Sequence, residues 1–414
     1  APFILPVIVA ILGLLAVFGG NGFVNLILEP LGVPKLDIYG AHGVILAHVF
    51  FNLPLAVRLI LQGWLTIPSE RFRVAASLAA PVFWLLEWPM LRRIVPGAFA
   101  VIFVICIGSF AVALTLGGGP KATTVELAIY QAFKFDFDLS KAASLAVVQL
   151  CLGLGAGLIA LLLARGDMLG AGFDRVVQRW DGSWLLDATW IGLATLFLMA
   201  PLLAIFIAGL AGLFDLPIGI WGAALRSFLI SLGAVTLTMA LALPLATKAG
   251  EAASLLGLSV SGLVLGTGMF LIVQPFVRPS SVALPVTMLV NVLMALPFVL
   301  RILRPSVDSA RVDFGRLGQS LGLRGWALWR IVYLPRLRRP MGFAAGLTGA
   351  LAMGDLGVIT LFSRPGEGTL PMAMYQLMGA YQMDAAYGAA LLLVMLSLGL
   401  FWAFDKGGRA HAVV

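Results

Sequence analysis

The chain alternates between long apolar runs and short polar segments. A helix needs about 20 apolar residues to cross the hydrocarbon core of a membrane. Only 11% of the residues are charged, against about 25% in ordinary soluble domains. The pattern therefore predicts an all-α polytopic membrane protein. Ten windows predict membrane-spanning helices: 2–19, 41–63, 97–117, 141–164, 187–213, 225–247, 256–277, 283–304, 341–363 and 386–405.

Two stretches of the chain, 49–58 and 292–301, are near-copies that read VFFNLPLAVR and VLMALPFVLR. They lie 243 positions apart. A nearly constant separation over many positions indicates an internal repeat. Further matches at almost the same separation are Ser77 with Ser320, Leu78 with Leu321, Gly108 with Gly354, Tyr130 with Tyr375 and Gln131 with Gln376.

The repeat predicts two units, 1–186 and 187–414. Both copies place the Leu-Pro element in a helix that runs from outside to inside. This predicts parallel topology, unlike the inverted repeats of many secondary transporters. Two spans, 187–213 and 225–247, precede the counterpart of the first window, whereas the first unit has no such pair. We expect two further helices ahead of the first unit, giving two halves of six; a natural arrangement of four plus six is the alternative.

The basic residues are concentrated in alternate connecting segments. The segments 64–96, 165–186, 248–252 and 305–340, the C-terminal tail and the adjoining helix ends hold all but seven of the 27 Lys and Arg. The positive-inside bias makes this side cytoplasmic. The net charge of +8 is therefore read as an orientation signal, and not as a nucleic-acid-binding surface.

The cytoplasmic segment 305–340 predicts a helix, a break and a second helix. Gly322 and Gly325 permit the turn after Ser320, and Pro335 suits the first turn of the next helix. A short amphipathic stretch, 326–332, lies between them. Two interpretations are open: the stretch docks into a groove of a partner protein, or it rests on lipid headgroups with Trp326 as an anchor.

The same segment resembles the EAA loop of ATP-binding-cassette importer permeases. That pattern is E-A-A, three residues, G, nine residues, I, one residue, L-P. Gly322 stands at the glycine position, Val332 at the isoleucine position, and Leu334 and Pro335 at the L-P. Arg316 occupies the glutamate position, so an ionic contact through that glutamate is not carried over.

The first repeat carries a shorter version of this loop, which runs RVAASLA over 73–79 and ends at Pro89. Ala79 replaces the glycine, and the interval to the proline is three residues shorter. The resemblance implies that 73–88 and 316–331 are coupling helices that insert into two ATPase subunits. The residues assigned to this role are Ala75, Ala76, Leu78, Ala79 and Pro89, together with Ser320, Leu321, Gly322, Gly325, Trp326, Leu334 and Pro335.

No G-x-x-x-x-G-K-[ST] motif occurs in the sequence. This phosphate-binding loop is how ATPases of this class hold nucleotide. The ATPase is therefore expected to be a separate polypeptide, present in two copies. The chain itself is expected to be a transport subunit that is not an enzyme.

Other stretches resemble the thiamine/thiamine pyrophosphate importer permeases. They are 46–54 (LAHVFFNLP), 87–93 (EWPMLRR), 116–131 (LGGGPKATTVELAIYQ), 319–326 (QSLGLRGW) and 354–358 (GDLGV). The resemblance implies the type I importer permease fold in a bacterial inner membrane. It also implies import of thiamine and its phosphates, delivered by a periplasmic binding protein, with no cofactor or metal held by this chain.

Asp355 is the clearest acidic residue deep within a predicted span. Such groups are functional candidates by default. Its repeat counterpart is Ser109. Two interpretations of Asp355 are open: it belongs to the transport pathway or its gate, or it is a packed and hydrogen-bonded residue without a role in transport. Tyr130 and Tyr375 occupy equivalent places on the outer side; they either receive the binding protein or substrate, or pack on the bundle. Because thiamine is cationic, we expect aromatic and acceptor groups along the pathway.

Other functions stay open at this point. A permease for ferric iron or another small solute belongs to the same superfamily. A secondary transporter driven by protons or sodium would need several buried carboxylates, and only Asp355 clearly qualifies. An intramembrane enzyme is disfavoured, because the sequence has neither an H-E-x-x-H motif nor paired intramembrane aspartates.

Overall fold

A computed structural model describes residues 5–117, 122–163, 183–258, 260–323, 325–364 and 366–409. This part of the chain consists of helices and turns, without a strand, as predicted. The helices are α1 (Val7–Phe18), α2 (Phe23–Leu28), α3 (Ala41–Trp64), α4 (Ser69–Ser77), α5 (Trp88–Ile107), α6 (Phe110–Leu116), α7 (Val125–Lys134), α8 (Leu139–Leu163), α9 (Trp184–Gly212), α10 (Ile218–Leu245), α11 (Lys248–Leu258), α12 (Gly262–Val273), α13 (Ala283–Ser320), α14 (Gly325–Leu328), α15 (Leu334–Met353), α16 (Gly357–Phe362), α17 (Leu370–Gly379) and α18 (Met383–Arg409).

Within the described ranges, nine helical segments are long and apolar enough to cross a membrane. The predicted polytopic architecture is therefore confirmed. The segments are Val7–Leu31, Ala41–Trp64, Phe83–Ile107, Leu139–Ala160, Trp184–Asp215, Ile218–Leu245, Pro279–Gly315, Trp329–Phe362 and Met383–Arg409.

The seventh predicted span, 256–277, is wrong as a single helix. The chain turns between α11 and α12, because the Ser261 side chain accepts a hydrogen bond from the Val264 amide (3.2 Å) and caps the start of α12. The 12 residues of α12 rise about 18 Å, which is well short of the roughly 30 Å hydrocarbon core. The residues before and after the turn are both apolar, so the hydrophobic pattern of the sequence did not reveal the turn.

Two other predicted spans, 97–117 and 341–363, contain a break. The first of these helices ends at Ile107 and resumes at Phe110; the second ends at Met353 and resumes at Gly357. The intervening residues are Gly108 and Ser109 in one case and 354–356 in the other. Each break lies at a repeat-equivalent place.

The two halves share a series of matching helices in the same order. Helices α5 and α15 each have 20 residues, and α7 and α17 each have 10. A five-residue π-helical turn precedes α5 and another precedes α15. The division at 186/187 stays a prediction, and the proposed boundary falls inside the first turn of α9, which begins at Trp184.

Glycine brings several helices into backbone contact. A Cβ atom added to Gly388 of α18 would clash with the carbonyl oxygen of Gly212 at the end of α9. A Cβ added to Gly342 of α15 would lie 2.6 Å from the carbonyl oxygen of Phe404 in α18. Small residues of this kind allow the close packing on which helix association in lipid depends.

The close contact predicts opposite effects for one substitution at two places on α18. Gly388→Ala should lower stability by about 1–3 kcal/mol, because the added methyl group meets backbone that cannot move aside. Gly399→Ala is the matched control, since its Cβ would meet nothing within 4 Å and alanine favours a helix by about 1 kcal/mol over glycine. Thermal unfolding of the detergent-solubilised variants compares them. A Gly388→Ala protein as stable as Gly399→Ala would contradict the packing.

Candidate translocation pathway and docking surface

The cytoplasmic loop of the second half has the predicted helix–break–helix form. Helix α13 continues to Ser320, and Gly322 and Gly325 then adopt φ angles of +67° and +55°. The Leu323 amide donates to the Gly318 carbonyl (2.9 Å) and closes the end of α13. Helix α14 and a π-helical turn follow, and Pro335 lies in the first turn of α15.

The loop of the first half makes the same turn with fewer residues. Ala79 takes the place of Gly322 and adopts a φ of +48°, a left-handed conformation that costs a residue with a Cβ atom about 1–2 kcal/mol. Within the described stretch 65–107, a π-helical turn, Phe83–Glu87, follows directly, and no counterpart of α14 is present. The two loops are therefore related but unequal.

Both loops present large apolar side chains to the surroundings. The repeat-equivalent leucines Leu78 and Leu321 are 72% and 64% exposed. Trp84 in the first loop and Ile331 in the second are exposed to a similar extent. Clustered exposed apolar residues at one end of a bundle are typical of an interaction site.

The other residues assigned to docking are divided between surface and interior. Ala75 is buried, so it packs the loop and does not form its surface. The Trp326 side chain lies outside the described part of the structure. Leu334 and Pro335 are half-buried, and the exposed ones are Ala76, Ala79, Pro89, Ser320, Gly322 and Gly325.

The two helix breaks interlock the halves of the molecule. A Cβ added to Gly108 would lie 3.7 Å from the Ser261 Cβ, at the start of α12. A Cβ added to Gly354 would lie 3.1 Å from the Pro6 Cα, just before α1. Each break in one half thus packs against the first residues of a helix in the other half.

The backbone groups at the two breaks are satisfied in different ways. In the first half, the Gln149 side chain of α8 donates to the Ile107 carbonyl at the end of α5 (3.0 Å). In the second half, the Asp355 Oδ1 atom accepts from the Gly357 amide (3.1 Å) and caps α16. The other carboxylate oxygen of Asp355, Oδ2, is buried and has no hydrogen-bond partner among the described residues.

The repeat-equivalent tyrosines approach each other between the halves. Tyr130 on α7 is buried, and its ring lies 5.3 Å, centroid to centroid, from that of Phe110 at the start of α6. Burial, together with the nearby phenol of Tyr375 on α17, raises the pKa of Tyr130 to about 12. The structure therefore brings Tyr130 and Tyr375 together with Phe110, and half-buried Ser109 precedes that ring in the chain.

A buried acid, Glu126, lies beside the first break and was not predicted as a functional residue. Its side chain is inaccessible, and neither carboxyl oxygen makes a well-formed hydrogen bond. Burial raises its pKa to about 7, although the Ser261 and Gln149 side chains oppose the shift. Its position just after the capping residue Thr124 gives it the sequence pattern of an ordinary first-turn helix acid.

Comparison with known proteins identifies the family. No protein-family model matches the chain. It is 36% identical over 433 residues to the thiamine transport system permease protein of Brucella abortus (strain 2308), covering 99% of this chain and 80% of that protein. It is 37% identical over 439 residues to the protein of the same name from Salmonella typhimurium (99% and 81%), and 37% identical over 431 residues to that from Escherichia coli K12 (97% and 80%).

The chain belongs to the thiamine transport system permease family. Its relatives are named as transport permeases, so this permease is a transport subunit and not an enzyme. The family and the long apolar helices together make it a multi-pass inner-membrane protein. The resemblance read from the sequence is thereby confirmed.

Glu126 of this permease predicts a pH-dependent stability. Its pKa lies above its ordinary value of 4.5, so the folded state binds the proton more tightly than the unfolded state does. This contribution to stability is complete below the ordinary pKa and is lost as the pH rises through about 7. We expect the melting temperature of the wild type to fall by several degrees between about pH 5 and about pH 8.

The matched variant is Glu126→Gln, which keeps the shape and cannot ionise. It should melt at nearly the same temperature across this interval, and above the wild type at the alkaline end. Melting curves of both proteins in detergent at several pH values measure the difference. Parallel curves for the two proteins would show that Glu126 does not titrate in the folded state.

Proposed function

We propose that this chain is the membrane-spanning subunit of an ATP-driven importer of thiamine and its phosphates. The observation that carries the proposal is similarity at 36–37% identity over 97–99% of the chain to permeases named for thiamine transport. The architecture agrees with it, since two sets of matching helices surround a shared interior.

Two copies of a separate ATPase subunit dock on the cytoplasmic loops in this proposal. The first copy contacts the loop around Leu78, and the second contacts the loop around Leu321. Both leucines are exposed, and each lies directly before the left-handed residue of its loop, which is Ala79 in the first and Gly322 in the second. The amphipathic segments are thus assigned to a protein partner and not to lipid headgroups alone.

The pathway lies between the repeats 1–186 and 187–414 in this proposal. Movement of the docked ATPase subunits displaces the starts of α5 and α15, and the breaks at Ser109 and Asp355 convert this into bending. The tyrosine pair, Tyr130 and Tyr375, forms the gate on the outer side. Such alternation around a central site needs no covalent chemistry, because the ATPase supplies the free energy.

A periplasmic binding protein delivers the cargo to the outer face. Helices α7 and α17 lie on this side by the alternation of the spans, at repeat-equivalent places. A two-lobed binding protein placing one lobe on each half would separate α7 from α17. That motion would part the tyrosine pair.

Uptake measurements test the proposed function. A thiamine auxotroph without its own uptake system should accumulate labelled thiamine when it expresses this permease with its ATPase and binding protein. Uptake should persist when the proton gradient is collapsed while ATP is maintained, and should stop with a hydrolysis-deficient ATPase. Uptake that follows the proton gradient, or none with the complete system, would contradict the proposal.

Charge insertion tests the docking surface. Leu321→Glu, and independently Leu78→Glu, should weaken co-purification with the ATPase by about 30-fold or more, as expected for a buried anchor residue at an interface. Both residues are exposed in the free permease, so its stability should change by less than about 0.5 kcal/mol.

The matched control is Leu31→Glu, at a leucine that is 68% exposed. Leu31 precedes α3 and Leu78 follows it, so the 24 residues of that helix, about 36 Å, separate the two sites. The control should retain the ATPase. Equal retention by all three variants would place the ATPase contact elsewhere.

A further inference from the structure

The carboxylate of Asp355 is only half satisfied. Its Oδ1 atom accepts from the Gly357 amide, but its Oδ2 atom is buried without a hydrogen-bond partner in the described part of the chain. A buried acceptor left unpaired destabilises the protein, and a charged one does so more strongly. A buried group of this kind calls for an explanation, and a partner that arrives in another state of the molecule provides one.

Capping of α16 does not account for the acid at this position. Asparagine and serine cap helices about as well as aspartate, and the repeat counterpart Ser109 stands directly before α6 without a side-chain cap bond. A neutral residue would hold the Gly357 amide without burying a charge. The choice of a carboxylate therefore points to an additional partner.

An aromatic ring from the other half faces the same space. A Cβ added to Gly357 would lie 3.7 Å from the Asp355 Oδ1 atom and 3.8 Å from the Phe110 Cδ1 atom. Glycine at this position therefore leaves a gap of about one methyl group between the Asp355 carboxylate of the second half, on its Oδ1 side, and a phenyl ring of the first half. The ring of Phe110 in turn packs on Tyr130, which lies near Tyr375.

This combination of groups selects one class of ligand. A carboxylate oxygen attracts a positive charge, and the face of an aromatic ring stabilises a cation within about 6 Å. A quaternary nitrogen has no N–H to donate, so it is held by charge and by ring faces. A weakly hydrated organic cation suits a partly apolar site better than a strongly hydrated metal ion does.

We infer that Asp355 and Phe110 form a site for the positively charged ring of the cargo, which occupies the gap above Gly357 when the halves move apart. The inference rests on the proposed function, because it takes the thiazolium of thiamine as the cation. Since the counterpart of Asp355 is Ser109, the site has one carboxylate and binds one cation asymmetrically. The phosphate of a phosphorylated cargo would lie away from Asp355.

The test separates charge from helix capping. Labelled thiamine uptake and ATPase activity are measured with the complete transporter in proteoliposomes for wild type, Asp355→Asn and Gly357→Ala. Asparagine keeps the cap on α16 and removes the charge, and Gly357→Ala fills the gap and keeps the charge.

Asp384→Asn is the matched control, at an exposed aspartate in the first turn of α18. A neutral analogue, in which thiophene replaces the thiazolium, is the competing ligand.

We expect Asp355→Asn to reduce uptake at limiting thiamine by about 10- to 100-fold, the range for losing a charged partner. The preference of the wild type for thiamine over the neutral analogue should shrink by a similar factor. Gly357→Ala should reduce uptake of both compounds. Asp384→Asn should match the wild type in uptake, ATPase activity and melting temperature, and Asp355→Asn and Gly357→Ala should keep the wild-type melting temperature.

Three results would overturn the inference. They are wild-type uptake by Asp355→Asn, an unchanged preference for the cation in that variant, or a parallel loss of uptake, ATPase activity and melting temperature. The last would assign Asp355 a structural role only. Absence of thiamine uptake by the wild type would instead contradict the proposed function, and the two failures are therefore distinguishable.

Discussion

Every backbone amide and carbonyl group that enters the hydrocarbon core must find its partner inside the protein. An unbroken helix meets this requirement along its length, but a break does not. Among the described residues of this permease, two membrane spans are broken, between α5 and α6 and between α15 and α16. Both breaks pack against the other half, whereas the side chains that complete their backbone hydrogen bonds come from the same half as the break.

The two breaks illustrate how a repeat can diverge while its geometry is kept. A glutamine from a neighbouring helix supplies the missing donor in the first half, and an aspartate within the break supplies the acceptor in the second. Either solution holds the chain in a similar path. The difference lies in charge, because the second half has the carboxylate Asp355 within the break and the first half has Ser109 there. Functional asymmetry can therefore arise without any change of fold.

The features predictable from the sequence were those that depend on local pattern. Long apolar runs indicated the spans, and Gly322 with Pro335 indicated a turn followed by a new helix. Tyr130 and Tyr375 are separated by almost the same number of positions as the other matching pairs, which indicated a repeat. The breaks were not predicted, because hydropathy continues through Gly108 and Gly354, and their packing partners, Ser261 and Pro6, come from distant parts of the chain.

The same limit applies to the candidate site. Phe110 is one phenylalanine among 26, and its meeting with Tyr130 and the space beside Asp355 depends on the assembly of both halves. Glu126 has the sequence pattern of an acid in the first turn of a helix, and its burial marks it as unusual. Residues that act together across an interface leave no common signal in a single sequence.

The glycine contact between α15 and α18 has a mechanical consequence. With the Phe404 backbone against Gly342, no side chain lies between the two helices at this point to be compressed. A displacement applied near Leu334 is therefore passed to both helices together. The axis of α15 is interrupted at 354–356, so a push along the helix becomes a change of angle there.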